Sequence, residues 1–173
     1  MLPKLILSDI DGVWTDGGMY YSSKLEELKK FNTYDSAGIL LCHALNIPVG
    51  IITGEDSIIV ENRARKLNID FCFIGIKDKL KVANEIAIKL KITLKECAYI
   101  GDDLNDIELL CSVGFAGVVN SAPSYMKEFA HYVTKKNGGE GAFREFVEYI
   151  LRINNCFDLA FKNLNIPIYG KNE

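Results

Sequence analysis

The stretch Leu5-Ile6-Leu7-Ser8-Asp9-Ile10-Asp11-Gly12 constrains the fold more than any other part of the chain. An apolar run of this length, bounded by a turn residue, reads as a buried strand. It ends in two carboxylates separated by Ile10, which puts Asp9 and Asp11 on the same side of an extended chain. Gly12 then allows an immediate turn. Two acids at the carboxyl end of a core strand repel each other, and burying them is costly without a cation. The residue types therefore point to a hard-metal site in which one carboxylate also serves as a nucleophile. Solvated acids at a strand-ending turn are the plainer alternative, and the rest of the chain decides between the two.

Downstream, strand-like and helix-like segments alternate. Residues 17–22 and 28–32 read as the arms of a β-hairpin turning over 23–27, rich in aromatic residues and expected to project. Asp35 or Ser36 caps a helix that runs to Leu45. A second buried strand, Pro48-Val49-Gly50-Ile51-Ile52, ends in Thr53-Gly54-Glu55-Asp56. Helices are expected over 57–67 and 78–90, the latter with Leu80, Val82, Ala83, Ile86, Ala87 and Leu90 near a 3.6-residue period. A short strand over 71–74 lies between them. Another strand, Cys97-Ala98-Tyr99-Ile100, ends in Gly101-Asp102-Asp103-Leu104-Asn105-Asp106. There follow a helix to Cys111, a strand over 115–119, a helix opened by Pro123, a strand at Tyr132-Val133 and a closing helix over 142–153. Residues 154–173 read as a tail that extends away.

This alternation predicts an α/β fold, a doubly wound parallel sheet with helices on both faces, as one domain over residues 1–153. Ligands of such sheets bind beyond the carboxyl ends of the strands. Asp9/Asp11, Thr53-Gly54 and Asp102/Asp103 stand at such ends and would share one crevice. The chain of 173 residues is long enough for one sizeable core. Its net charge of −3 gives no reason to expect nucleic acid or an anionic membrane as partner. No signal peptide or membrane-spanning run is read in the sequence. The five cysteines lack zinc-ligand spacing and fit reduced thiols in a cytoplasmic protein. His43 and His131 are isolated and are read as structural.

A metal held by Asp9 and Asp102, with the backbone carbonyl of Asp11 and waters, would be an oxygen-only site, which favours Mg²⁺. Thr53 offers a hydroxyl and Gly54 a bare N–H to a phosphate oxygen, and Lys79 offers a point charge. Asp9-Ile-Asp11-Gly, Thr53-Gly54, Lys79 and Gly101-Asp102-Asp103-Leu-Asn-Asp106 resemble, in order, the signature motifs of the haloacid dehalogenase superfamily of phosphatases. The resemblance covers residues 5–151. Within it, Asp-Gly-Val-Trp-Thr-Asp-Gly-Gly, Val-Gly-Ile-Ile-Thr-Gly, Lys-Asp-Lys-Leu and Gly-Gly-Glu-Gly-Ala-Phe-Arg-Glu look like the small 2-keto-3-deoxy sugar acid phosphatases. These include 3-deoxy-manno-octulosonate 8-phosphate and nonulosonate 9-phosphate phosphatases.

The resemblance implies a role for each residue. Asp9 would form an aspartyl-phosphate, and Asp11 would act as general acid and then base. Lys79 and Thr53 would hold phosphoryl oxygens, and Asp102 would complete the Mg²⁺ site, with Asp103 and Asp106 in support. The spacings from Asp11 to Thr53 and from Thr53 to Lys79 leave no room for an inserted cap domain. Neighbouring subunits would then wall the site, the family precedent being a homotetramer assembled through the hairpin. Met19, Tyr20, Tyr21 and Phe31 are candidate interface residues.

Glu55 follows Thr53-Gly54 where the octulosonate phosphatases usually carry arginine, and Arg63 and Lys66 share a helix face. By the resemblance, Glu55, Arg63, Lys66, Thr33 and Asn105 would contact a nonulosonate 9-phosphate, with the eight-carbon acid as the alternative. Two rivals remain: a non-catalytic oligomerisation module of the same fold, and a receiver domain. The latter would need an aspartate after the strand that ends near Ile74, where Gly75 stands instead.

Overall fold

The expected strands and helices form in the expected order, except that the segment after Pro123 differs in type, and most of the apolar positions that suggested them go inside, Leu40 (56% exposed) being an exception. In the computed structural model, which describes residues 1–24 and 27–167, the chain begins with β1 (Leu5–Ser8). A hairpin follows, β2 (Tyr20–Tyr21) and β3 (Glu27–Leu28), then α1 (Asp35–Ala44) and β4 (Val49–Ile52). Next come α2 (Ile58–Lys66), β5 (Phe71–Phe73), α3 (Lys79–Leu90), β6 (Cys97–Gly101), α4 (Ile107–Ser112), β7 (Phe115–Val118) and β8 (Tyr132–Val133). Helices α5 (Ala142–Ile153) and α6 (Phe157–Asn163) close the described chain.

Six strands form one sheet in the order β5-β4-β1-β6-β7-β8, and all of its pairings are parallel. Strand β1 sits at its centre, every residue buried, which is why it reads as a continuous apolar run. From β1 the chain winds outward through β4 and β5, then crosses back to β6 on the other side. The reversal opens a crevice beyond the carboxyl ends of β1 and β6. Registers of Ser8 with Ile100 and Ser8 with Ile51 bring Asp9, Asp102 and Thr53 to the same end.

The helices are placed by their apolar stripes. Helix α5 buries Phe143, Phe146, Val147, Ile150 and Leu151, and it packs against α1, with α6 also against α1. The contact is close because α1 presents Gly38, where a Cβ would lie 2.9 Å from the Phe143 ring. Helices α3 and α4 pack together, and right-handed crossovers set them on the face opposite α1. Asp78 caps α3 by accepting from the Lys81 amide at 2.8 Å.

Several expectations require correction. The tail does not simply extend: Ala160 is buried in α6, and Asn163 Nδ2 donates to the Ala44 carbonyl at 2.8 Å. Phe157 and Phe161, four residues apart on the same helix, lie on the core, as does Leu164 just after it. Residues 168–173 lie outside those described, as do Leu25 and Glu26 in the expected hairpin turn. Glu27 belongs to β3 rather than to that turn, pairing with Tyr21. The segment after Pro123 is a 3₁₀ helix, Ser124–Phe129, rather than an α-helix. Phe31 packs on the core under the Arg63 guanidinium at 5.7 Å, within its own protomer.

Candidate active site

At the end of β1 the chain turns sooner than an extended reading allows. The Ile10 carbonyl accepts from the amides of Val13, Trp14 and Thr15 at 2.8–3.2 Å, and Gly12 takes a positive φ of 86°. Asp9 and Asp11 are thus sent in different directions. The turn is anchored by fully buried Trp14, whose Nε1 donates to Ser8 Oγ at 2.9 Å and whose ring lies 4.7 Å from that of Phe143. It is backed by the loop after β8, where a Cβ on Gly138 would fall 1.8 Å from the Gly12 carbonyl oxygen. The Gly139 amide donates to Val13 O at 3.1 Å. The Gly138-Gly139 pair is therefore small because two backbones meet there.

Asp9 enters a buried cluster. Its Oδ2 lies 2.9 Å from Lys79 Nζ, which also lies 2.6 Å from Asp106 Oδ1. Asp106, fully buried, also accepts from Tyr99 OH at 2.5 Å and, through Oδ2, from the amides of Asp102 and Asp103 at 2.8 and 3.2 Å. A residue expected only to support the site is its electrostatic hub. It fixes the lysine and shapes the turn that presents Asp102. Asp103, by contrast, is exposed and caps that turn, accepting from the Leu104 amide at 2.7 Å. Tyr99 was legible only as a buried strand residue; no sequence signal marked its hydroxyl as part of the site.

Asp9 Oδ1 and Asp102 Oδ1 are buried and have no hydrogen-bond partner. Asp9, Asp102 and Asp106 each bring a carboxylate oxygen within 4.8 Å of the others. Burial, with the Asp106 charge adding to it, pushes Asp9 up to about 7 despite Lys79. Burial and the charges of Asp9 and Asp106 push Asp102 up to about 8. Burial alone would pull Lys79 down, but the two carboxylates outweigh it and hold the ammonium above its ordinary range. Concentrated carboxylate charge with two orphaned oxygens is the environment a hard cation relieves. The donor set fits Mg²⁺, with Asp9 and Asp102 offering the free oxygens. Gly12 leaves the space for Asp102: a Cβ there would lie 1.9 Å from Asp102 Oδ2.

The side chain of Asp11 does not join this cluster. It receives Lys29 Nζ at 2.8 and 2.9 Å and Thr15 Oγ1 at 3.3 Å, which leaves its backbone carbonyl as the atom it could offer a metal. Lys29 was not anticipated from the sequence. Burial pulls its ammonium down, yet Asp11 and Glu27 raise it further, so it stays charged.

Thr53 is buried at the end of β4, its amide donating to Phe73 O at 3.0 Å and its carbonyl accepting from the Ile76 amide at 2.9 Å. Gly54 is exposed beside it, and Asn105 Nδ2 lies 3.6 Å from where a Gly54 Cβ would be. Thr33, Glu55 and Lys66 are exposed, and Arg63 is half-buried on Phe31 with its Nε unpartnered. The structure thus joins Asp9, Lys79, Asp102 and Asp106, and puts Asn105 beside Gly54. It does not draw Thr33, Glu55, Arg63 or Lys66 into the carboxylate cluster. His43 pairs with Asp70 at 3.0 Å, and His131 Nδ1 accepts from the Ala116 amide at 2.9 Å. All five cysteines are free.

A family model described as haloacid dehalogenase-like hydrolase matches residues 59–146. Among curated proteins, the 3-deoxy-D-manno-octulosonate 8-phosphate phosphatase of Yersinia pestis is 40% identical over 148 residues, 86% of this chain and 79% of that one. The Moraxella catarrhalis enzyme of the same name was solved with a magnesium ion, a phosphate ion and a KDO molecule. It superposes with a TM-score of 0.89 at 37% identity, covering 94% of this chain and 93% of that one. The cobalt-bound form of the Haemophilus influenzae phosphatase gives a TM-score of 0.85 at 33% identity, covering 89% and 90%.

Proposed function

Because the chain belongs to the haloacid dehalogenase-like hydrolases, we propose that it removes phosphate from a 2-keto-3-deoxy sugar acid phosphate, Asp9 taking the phosphoryl group first. The observation that carries this reading is the pair of buried, unpartnered oxygens on Asp9 and Asp102 beside the Lys79 ammonium. Magnesium is the cofactor. When bound it neutralises charge on the carboxylates and on the phosphoryl oxygens.

The residues divide the remaining work. A loose phosphoryl-transfer transition state mainly needs alignment and compensated charge. Asp9 presents its carboxylate from the end of a rigid central strand. Lys79, held by Asp106 and Tyr99, is aimed where phosphoryl oxygens would lie, and Thr53 and Gly54 close the other side. Asp11 protonates the departing sugar oxygen and then takes a proton from the water that cleaves the aspartyl-phosphate. A non-catalytic role would not require this set to be intact. The receiver-domain reading fails on topology. In chain order the parallel strands run 3-2-1-4-5-6 across the sheet, whereas the receiver-type order is 2-1-3-4-5.

The relatives' names favour the eight-carbon acid, 3-deoxy-octulosonate 8-phosphate, over the nine-carbon acid that Glu55 suggested. The second reading, a nonulosonate 9-phosphate, rests on Glu55 standing exposed next to Gly54 with Arg63 and Lys66 on the following helix. Among the described residues, no cap domain lies between β1 and β4 or between β4 and α3. We therefore assign the missing walls to neighbouring copies in a homotetramer joined through the hairpin. The exposed Met19, Tyr20, Tyr21 and Leu28 support that assignment. Thr33, Glu55, Arg63 and Lys66 would meet substrate in that assembly.

A phosphate-release assay over both sugar acid phosphates and hexose phosphates tests the reading. Mg²⁺-dependent turnover fastest on the eight-carbon acid is expected, with Asp9→Asn reducing it by at least about 10³-fold. Equal rates on every phosphate would remove the substrate assignment, and an active Asp9→Asn enzyme would remove the nucleophile.

A further inference from the structure

The hairpin has an inner face that the reaction as described does not use. Alternation along β3 and the residue after it puts Leu28 outside, 64% exposed, and turns Glu27 and Lys29 inward. The Lys29 side chain is 2% exposed, with Nζ 2.8 and 2.9 Å from the Asp11 oxygens and 3.0 Å from Glu27 Oε1. Glu27 Oε2 accepts from Ser57 Oγ at 3.2 Å, just before α2. A connected line of polar contacts thus runs from the start of α2, through the hairpin, to Asp11. Burying an ammonium this completely is unfavourable unless its partners are fixed, and one partner here is the acid/base residue.

Resting on the phosphatase reading above, we propose that Lys29 is a positioning residue for Asp11 and that Glu27 ties Lys29 to the body of the protein through Ser57. In the transfer step the Asp9–phosphorus bond forms, the bond from phosphorus to the sugar oxygen breaks, and the Asp11 proton goes to that oxygen. Asp11 is left as a carboxylate, the form that accepts two N–H groups from Lys29. In the second step water oxygen bonds to phosphorus, the Asp9–phosphorus bond breaks, and the water proton passes to Asp11. Lys29 keeps its own protons throughout. Its work is to hold the carboxylate in place between the steps, when Asp11 must serve as a base.

An aryl phosphate separates the two steps, because p-nitrophenolate leaves without needing a proton and Asp11 is then required only for the second. With Mg²⁺ and p-nitrophenyl phosphate, acid-quenched Lys29→Met enzyme is expected to carry more covalent phosphate than wild type. Its turnover of the sugar acid phosphate should fall about 10²-fold, with partial recovery in Lys29→Arg. Adding Lys29→Met to Asp11→Asn should cost no more than about twofold further, since residues acting as a unit are not additive. Turnover of Lys29→Met within about twofold of wild type would overturn the proposal. So would an equally large loss in the Asp11→Asn background. Glu27→Gln keeps the lysine and should raise the phosphoenzyme to a smaller extent; if Lys29→Met does not fold, an unchanged Glu27→Gln enzyme overturns the proposal instead. Absence of phosphoenzyme in Asp11→Asn itself would strike the role of Asp11, which is a separate failure.

Discussion

Gly12 illustrates how much of the site depends on an atom that is missing. Its positive φ turns the chain away from β1, and its bare Cα lets Asp102 approach to a distance no Cβ would permit. Gly12→Ala is therefore expected to displace the Asp102 carboxylate and weaken Mg²⁺ binding by on the order of 10–100-fold, comparable to losing a metal site's supporting contacts. Isothermal titration calorimetry with Mg²⁺ checks this, and unchanged affinity would mean that Asp102 does not hold the ion. At this scale the sequence was informative where chemistry needs a particular residue in a particular place. Asp9, Lys79 and Asp102, which the structure joins, were legible because they stand at strand ends or a helix start. Tyr99 and Lys29 were not: a tyrosine in a buried strand and a lysine in a Leu-Lys-Lys run look like core and solvated surface. Their contacts arise only when distant segments meet. The sequence puts Asp11 on the same side of the chain as Asp9, but the turn that the Ile10 carbonyl organises sends its carboxylate to Lys29 instead.

The helices and parallel strands followed from periodicity, since both faces of the sheet are covered and its strands are apolar throughout. The hairpin was legible as a hairpin, and its exposed aromatic residues were legible as a surface. Its inward charges were not, because two-residue strands carry too little alternation to mark a face. Helix α6 is not legible in the sequence for a related reason: Asn154-Asn155 before it and Pro167 after it read as a chain leaving the domain, while its short apolar stripe is given meaning only by α1. The exposed outer face of β3 carries the assembly proposal. Leu28→Asp should convert the proposed tetramer to a smaller species in light scattering, because a charge in the centre of an apolar contact is left unpaired. A wild-type monomer, or a variant of unchanged mass, would contradict that assignment.

For the molecule as a whole, the metal site couples stability to pH. Without Mg²⁺, folding holds Asp9 near 7 and Asp102 near 8, both above the unfolded carboxylate range. The folded state therefore binds more protons than the unfolded one, and this contribution to stability falls as pH rises from about 4 through those values. Mg²⁺ favours the ionised carboxylates and competes with the protons. The gain in Tm on replacing EDTA with Mg²⁺ should consequently be larger at pH 8 than at pH 5.5. A gain that is equal at both, or larger in acid, would mean that these carboxylates do not bind the ion.

The central claim is that Asp9 carries the phosphoryl group, and one measurement reaches it directly. Asp11→Asn enzyme is mixed with p-nitrophenyl phosphate, whose leaving group needs no proton so that the intermediate forms and should persist, and with Mg²⁺, then quenched in acid and reduced with borohydride, which converts an aspartyl-phosphate to homoserine. Peptide mass spectrometry should then find homoserine at position 9, only when both substrate and Mg²⁺ were present. Its absence there, or its appearance at position 102, would contradict the account.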